Sequence, residues 1–139
     1  MSNLEELGKK FIASGDLEKE ELEELLNGLD GWFQVSPEDG YVKINEKFAL
    51  SDKTKLHLIL TARYLVNKLQ NKLGQVNPVK ESMTLDELAS NLRISKKEVS
   101  RRISDLRISK RVEDVERGEI RVTPYSIKVL IEELNKKRR

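Results

Sequence analysis

The longest apolar pattern in the chain runs from Asp52 to about Leu73. Apolar residues in this stretch cover more than one face of a helix, and Ser51 precedes them as a potential N-cap. A helix that is apolar over so much of its circumference is usually central to a core. Gly74 ends the pattern, and residues 75–82 have the composition of a loop. The sequence therefore predicts a long, central helix.

The first 50 residues combine two further patterns. Apolar residues recur at helical spacing over 3–13 and 17–29, with a break at Gly15-Asp16, where Asp16 is a potential N-cap. This predicts an acidic helical hairpin. Residues 32–44 then flank the turn segment SPEDG and predict a small β-hairpin. Trp32, beside Phe33, is interpreted as a core or interface anchor rather than as a stacking platform for bases.

Two helix-start signals lie eleven residues apart in the second half of the chain. Thr84 with Glu87, and Ser95 with Glu98, each fit the capping box, in which the cap side chain and the glutamate exchange bonds with backbone amides. Each signal precedes an apolar stripe at helical spacing. The second stripe consists of Val99, Ile103 and Leu106. The pattern predicts two helices joined by a tight turn.

A charged hairpin and a last helix follow. Valine and isoleucine residues flank segment 116–119, in which Gly118 supplies the turn position. Thr123 then precedes Pro124, which predicts a helix with Thr as cap and Pro as its first residue. The apolar stripe of this helix has two possible partners, the central helix or a second chain. The residues KKRR at its end are expected to form a mobile basic tail.

Composition narrows the class of protein. At 139 residues the chain can bury one core, and the fold class expected is mainly α with small β-hairpins (α+β). The domains predicted are an acidic segment over 1–50 and a basic domain over 51–139. The absence of cysteine excludes disulfides, zinc fingers and thiol catalysis. No apolar run suits a membrane span and the N-terminus has no signal core, so a cytoplasmic protein is expected. The high Lys and Glu content would suit a thermophile.

The net charge of +2 conceals an asymmetry. Residues 1–50 carry five basic and twelve acidic residues, whereas residues 51–139 carry twenty-one basic and twelve acidic residues. Basic residues are densest between Arg93 and Arg111, where Glu98 and Asp105 are the only acids. This distribution suggests a polyanion partner for the second half. Two solvated charged faces are the alternative.

The helix at 95–107 carries the candidate binding residues. At about 100° per residue, Lys97, Arg101 and Ser104 lie opposite its apolar stripe, with Lys96 and Ser100 near its N-terminus. Lysine, arginine and serine side chains can bond base edges in a major groove. Base edges are predicted to meet Lys97, Ser100, Arg101 and Ser104. Phosphates are predicted to meet Arg93, Arg102, Arg107, Lys110 and Arg111, and the hairpin adds Arg117 and Arg121. The hairpin acids Glu113, Asp114, Glu116 and Glu119 would oppose DNA.

Residues 51–139 resemble the winged helix-turn-helix superfamily of prokaryotic and archaeal transcriptional regulators. The resemblance covers about two thirds of the chain and rests on LDELASNLRISKKEVSRRISDLRISKRVE, the glycine of the hairpin and V-T-P. It implies a three-helix core with a wing and duplex DNA as the usual ligand. The groove-facing residues that it implies are Lys96, Lys97, Ser100, Arg101 and Ser104. The chain departs from the family where a glycine often follows the second helix, because it reads ISKRV there.

No pattern in the chain indicates an enzyme, a cofactor or a metal site. His57 is the only histidine, and its apolar surroundings (KLHLILT) are more typical of a core position than of a ligand. There is no phosphate-binding glycine loop and no nucleophile elbow. The acids of residues 16–24 lack the spacing of a calcium loop.

The function predicted is a DNA-binding protein, a transcriptional regulator that reads duplex DNA with the helix at 95–107. The alternatives are a winged-helix protein-interaction module within a transcription or replication assembly, and RNA binding. A homodimer through the terminal helices and a protein partner of the acidic N-terminal segment also stay open.

Overall fold

The computed structural model describes residues 19–138. The helix predicted over 3–13 and the cap predicted at Asp16 lie outside these residues. The described part is a mixed α+β structure, which confirms the predicted class. Its helices are α1 (Lys19–Gly28), α2 (Asp52–Lys72), α3 (Leu85–Leu92), α4 (Lys96–Ile108) and α5 (Ser126–Arg138). Its strands are β1 (Phe33–Val35), β2 (Val42–Ile44), β3 (Met83–Thr84), β4 (Val112–Asp114) and β5 (Glu119–Val122).

Helix α2 lies at the centre of the core, as its apolar pattern predicted. Every residue from Leu56 to Leu65 is buried, and α1, α3, α4, α5 and both sheets contact the helix. The Ser51 hydroxyl accepts a bond from the Thr54 amide (3.2 Å), so the predicted cap is confirmed. The helix ends at Lys72, one residue before the glycine-containing loop. Local signals in the sequence therefore set both ends of this element.

The described part of the acidic segment packs on the same core. Leu22, Leu25 and Leu29 of α1 and its following turn are buried, and α1 contacts α2 and α5. Trp32 is fully buried, with its ring centroid 5.0 Å from that of Phe48, which confirms its interpretation as a core anchor. Residues 19–50 thus share one hydrophobic core with the rest of the described chain.

Two small antiparallel sheets flank α2. Strands β1 and β2 form the predicted hairpin, in which Val35 is opposite Val42. The second sheet has the order β3-β5-β4 and includes the predicted hairpin at 112–122. Strand β3 was not predicted, because two residues that also start a helix show no alternation of their own. Met83 pairs with Ile120 and joins the start of α3 to the hairpin.

Both predictions for the C-terminal helix need correction. Helix α5 begins at Ser126, and the Thr123 hydroxyl donates to the Lys110 carbonyl (2.8 Å) instead of capping the helix. The basic residues up to Arg138 belong to α5 and do not form a separate tail. Arg138 donates to the Asp30 carbonyl (2.7 Å), and its guanidinium carbon lies 4.7 Å from the centroid of the Trp32 ring. The apolar stripe of α5 packs on α1 and α2 within the chain.

Candidate nucleic-acid interface

A short, well-defined turn connects α3 to α4. The predicted capping box of α3 is present, because Thr84 Oγ1 accepts from the Glu87 amide (3.1 Å) and Glu87 Oε1 accepts from the Thr84 amide (3.3 Å). The helix closes at Arg93, whose backbone is left-handed (φ 61°, ψ 44°). The amides of Arg93 and Ile94 both donate to the Ala89 carbonyl, at 2.8 and 3.2 Å. These bonds fix the direction in which α4 leaves the turn.

The second capping box is only half formed. Ser95 Oγ accepts from the Glu98 amide (3.1 Å), so the serine caps α4 as predicted. The Glu98 carboxylate does not complete the box. It lies 3.3 Å from Arg101 Nη1 and 3.7 Å from Arg102 Nη2. The capping role predicted for the Glu98 carboxylate is therefore wrong. The carboxylate forms ion pairs with arginines three and four residues later instead of bonding to the backbone amide of Ser95.

Helix α4 has one buried and one solvent-facing side. Val99, Ile103 and Leu106 are fully buried against α2 and α3. Lys97, Arg101 and Ser104 are exposed, as the helical phase predicted. Lys96 is also exposed, whereas Ser100 is half-buried. A basic stripe thus runs along the outer side of a helix that the core holds from behind.

Carboxylates of the chain hold several of the residues predicted to bind DNA. Arg107 Nη2 lies 2.8 Å from Asp114 Oδ1, Lys96 Nζ lies 3.3 Å from Asp86 Oδ1, and Arg111 pairs with Glu133. Arg102 is half-buried and its Nε has no hydrogen-bond partner among the described residues. These basic groups are partly neutralised, which the linear sequence did not show.

Four of the predicted binding residues form no ion pair with another described residue. Arg93 lies in the turn before α4, Lys97 lies in its first turn, and Lys110 follows its end. Arg117 lies at the tip of the β4–β5 hairpin, where its φ is 31° and that of Gly118 is 79°. All four basic side chains are on exposed residues. These four side chains, together with Arg101 on the outer stripe of α4, are the cations most accessible to a polyanion.

Arg121 has a different environment from the one predicted. Its Nε lies 2.6 Å from Glu113 and its Nη1 lies 3.0 Å from Glu81. The bond to Glu113 raises the pKa of Arg121, and the two carboxylates hold the side chain across the three-stranded sheet. Beside the sheet, Lys80 in the loop before β3 pairs with Glu119 of β5 at 2.7 Å, which raises the pKa of Lys80 and lowers that of Glu119. These contacts stabilise the sheet and leave Arg121 less available to DNA.

Arg63 is a structural residue that the sequence analysis missed. It lies in α2 with 4% of its surface exposed, and burial lowers its pKa. Its Nε donates to the Lys80 carbonyl (2.7 Å) and its Nη1 to the Gly40 carbonyl (3.1 Å). Arg63 lines an open cavity of about 350 Å³ between the β1–β2 turn and α3, together with Tyr41. A charged residue within the apolar run of α2 was the signal that could have identified it.

His57 occupies the core, which confirms its interpretation. It is fully buried, and burial lowers its pKa to about 4, with a smaller contribution from Arg111. Its Nε2 lies 3.1 Å from Ser126 Oγ, whose hydroxyl donates to the Thr123 carbonyl (2.8 Å). Ser126 Oγ also lies 3.0 Å from the Arg111 carbonyl, so its single proton is directed to a carbonyl and the arrangement favours the tautomer with the ring proton on Nε2. Nδ1 has no hydrogen-bond partner among the described residues.

No protein-family model, curated protein or solved structure compared with this chain matches it. Between residues 19 and 138, no helix is both long and apolar enough to cross a membrane. Within the same residues, no group of three or more acidic, histidine or cysteine side chains is placed to hold a metal ion.

Proposed function

We propose that this protein binds duplex DNA, as a cytoplasmic winged helix-turn-helix transcriptional regulator, with α4 as the recognition helix. The observation that carries the proposal is the outer stripe of α4. Lys97, Arg101 and Ser104 are exposed on a helix whose opposite side is fully buried. Lysine and arginine bond O6 and N7 of guanine, and serine bonds several base edges. On this proposal the protein acts by binding rather than by catalysis.

The surroundings of α4 support the proposal. The N-terminus of a helix attracts phosphate through its free amides and its dipole, and the exposed Lys97 adds positive charge at this end. Arg93 lies in the turn before α4 and Lys110 in the turn after it, both exposed. Arg117 is exposed at the tip of the β4–β5 hairpin, which is where a wing residue that meets a groove would lie. Contacts at these points would fix the register of α4 on the duplex.

The ion pairs within the chain are compatible with phosphate binding. Arg107 and Asp114 expose 39% and 60% of their side chains, so water screens their attraction. A phosphate can replace such a carboxylate at little cost. Arg101 likewise exposes 65% of its side chain and is held by Glu98 at 3.3 Å.

A second candidate function is the binding of an acidic protein surface. The specific observation in its favour is that the basic groups of α4 already bind carboxylates in this chain, as in the pairs of Lys96 with Asp86 and of Arg107 with Asp114. A partner recovered by affinity pull-down that survives nuclease treatment would favour this candidate over DNA binding.

The test is fluorescence anisotropy with duplex DNA over a salt series. We expect binding that weakens steeply with salt, because bound phosphates release counterions. The variant Lys97→Ala/Arg101→Ala should weaken binding at least about tenfold and lower the salt slope by about two. A matched control, Lys19→Ala/Lys43→Ala, removes the same charge from α1 and β2, where both lysines are exposed.

Equal affinities of the two double variants would disprove the assignment of α4. Binding that is absent even at low salt would disprove DNA binding and leave the acidic protein partner. Competition by duplex RNA that matches duplex DNA would indicate an RNA ligand instead. Circular dichroism of each variant checks that the fold is intact.

A further inference from the structure

Ile108, the last residue of α4, is an exposed apolar residue on the basic stripe. It exposes 81% of its surface. Positions 97, 101, 104 and 108 are four, three and four residues apart, so at about 100° per residue they fall within an arc of about 60°. Ile108 therefore continues the line of Lys97, Arg101 and Ser104.

We infer that Ile108 contacts the 5-methyl group of a thymine in the major groove, so that the protein prefers duplexes with thymine at that position. This inference rests on the proposed function. The thymine methyl group is the apolar group that bases present on their major-groove edges. An isoleucine side chain has no hydrogen-bonding group, so it can recognise a base there only through this methyl.

The charges around Ile108 indicate a polyanion as its partner rather than an apolar protein surface. Arg107 precedes it, Lys110 follows it, and Lys97 and Arg101 lie on the same side of the helix. An apolar partner would have to bury these cations without compensation, which is costly. A DNA groove instead offers phosphates and base edges to the cations and a methyl group to the isoleucine.

The local backbone holds Ile108 in place. The Ser109 amide donates to the Asp105 carbonyl (3.2 Å), and the Arg111 amide donates to the Leu106 carbonyl (2.8 Å). Helical geometry is therefore kept up to Ile108. Eleven residues at a rise of about 1.5 Å place Ile108 about 16 Å along the helix from Lys97, or up to about five base pairs. The thymine is thus expected near the opposite end of the site from the base that Lys97 meets.

The test begins with selection of tightly bound duplexes from a randomised pool by the wild-type protein. Each thymine of a selected duplex is then replaced in turn by deoxyuridine, which removes only the methyl group. We expect one replacement to weaken wild-type binding about threefold to fivefold, the loss for one buried methyl contact. The variant Ile108→Ala should bind the thymine and deoxyuridine duplexes equally.

Val76→Ala is the matched control, because Val76 is 87% exposed in the loop after α2. It should keep the wild-type preference for thymine. The inference would be overturned if no thymine methyl of a selected duplex affected binding, or if Ile108→Ala kept the same methyl dependence. Light scattering gives a further check on Ile108→Ala. If this variant, but not Val76→Ala, differs from the wild type in molecular mass and no thymine methyl affects binding, Ile108 belongs to a contact between copies of the chain, and the inference is overturned. If the selection yields no bound duplex, the proposed DNA-binding function itself is wrong.

Discussion

The guanidinium of Arg107 and the carboxylate of Asp114 form an ion pair of 2.8 Å between the last turn of α4 and the end of β4. A carboxylate of the hairpin thereby pairs with a basic group at the edge of the proposed interface and partly neutralises its charge. The pair joins the two elements that would touch the same DNA. It also places a negative charge where a phosphate would bind.

Replacement of this acid is expected to tighten DNA binding. In Asp114→Asn, Arg107 no longer faces a carboxylate and the repulsion between Asp114 and phosphate is removed. Because an exposed pair contributes at most about 1 kcal/mol, we expect affinity at low salt to rise about twofold to threefold. Anisotropy titrations measure this change. Glu23→Gln, which removes an exposed acid of α1, is the control, and an equal gain in both variants would indicate only a net-charge effect.

Acidification is expected to destabilise the fold through His57. Its pKa is about 4 in the folded chain against 6.5 for an unperturbed histidine, so the unfolded chain binds more protons between these values. The stabilisation from the neutral ring is complete above about pH 6.5 and is lost as the pH falls through about 4. Between pH 7 and pH 5 the free energy of unfolding should fall by about 2 kcal/mol.

Urea titrations at several pH values measure this slope. The variant His57→Gln keeps a donor toward Ser126 but has no group that titrates in this range. Its stability should change little between pH 7 and pH 5, whatever its value at pH 7. A wild-type slope that persists in the variant would show that acidic groups cause it, since His57 is the only histidine of the chain.

A side chain at Gly40 is expected to destabilise the fold. Its φ is +75°, and a Cβ would lie 2.7 Å from Arg63 Nη1. Arg63 is 4% exposed and cannot move aside freely, because it donates to the Lys80 carbonyl (2.7 Å). Gly40→Ala should therefore cost about 2–3 kcal/mol of stability. Gly74→Ala has a similar φ (+70°) with no atom within 4 Å of the added Cβ, and should cost only about 1 kcal/mol. Thermal unfolding compares them, and equal losses would exclude the clash.

Asn91 is expected to hold the β1–β2 hairpin against α3. Its side chain accepts from the Val42 amide and donates to the Val42 carbonyl, both at 2.9 Å. Asn91→Ala leaves both buried backbone groups without a partner and should cost about 2 kcal/mol. Hydrogen exchange at the Val42 amide should accelerate strongly. Ser90→Ala, at an exposed neighbouring position, should leave exchange unchanged, and unchanged exchange in Asn91→Ala would contradict this role.

Much of the candidate site could be predicted because its signals are local. The phase of α4 follows from the spacing of Val99, Ile103 and Leu106, so the exposure of Lys97 and Arg101 followed as well. The partners of the remaining cations could not be predicted. Arg121 binds Glu81, forty residues away in sequence, because β3 pairs with β5. No local sequence pattern predicts that ion pair.

By itself, the sequence determined where its main helices form. Ser51 caps α2, Thr84 and Glu87 start α3, and the spacing of leucines gives α1 its buried face. Such signals act within one or two helical turns, so they can be read along the chain.

Only the tertiary structure decided which charges are held within the chain and which face solvent. In the folded chain, Arg63 is buried and donates to backbone carbonyls, the Glu98 carboxylate pairs with Arg101 instead of completing the cap, and Arg107 pairs with Asp114. Hydrogen bonds and ion pairs depend on distances of a few ångströms between residues that the fold brings together. Those distances exist only once the core around α2 has formed.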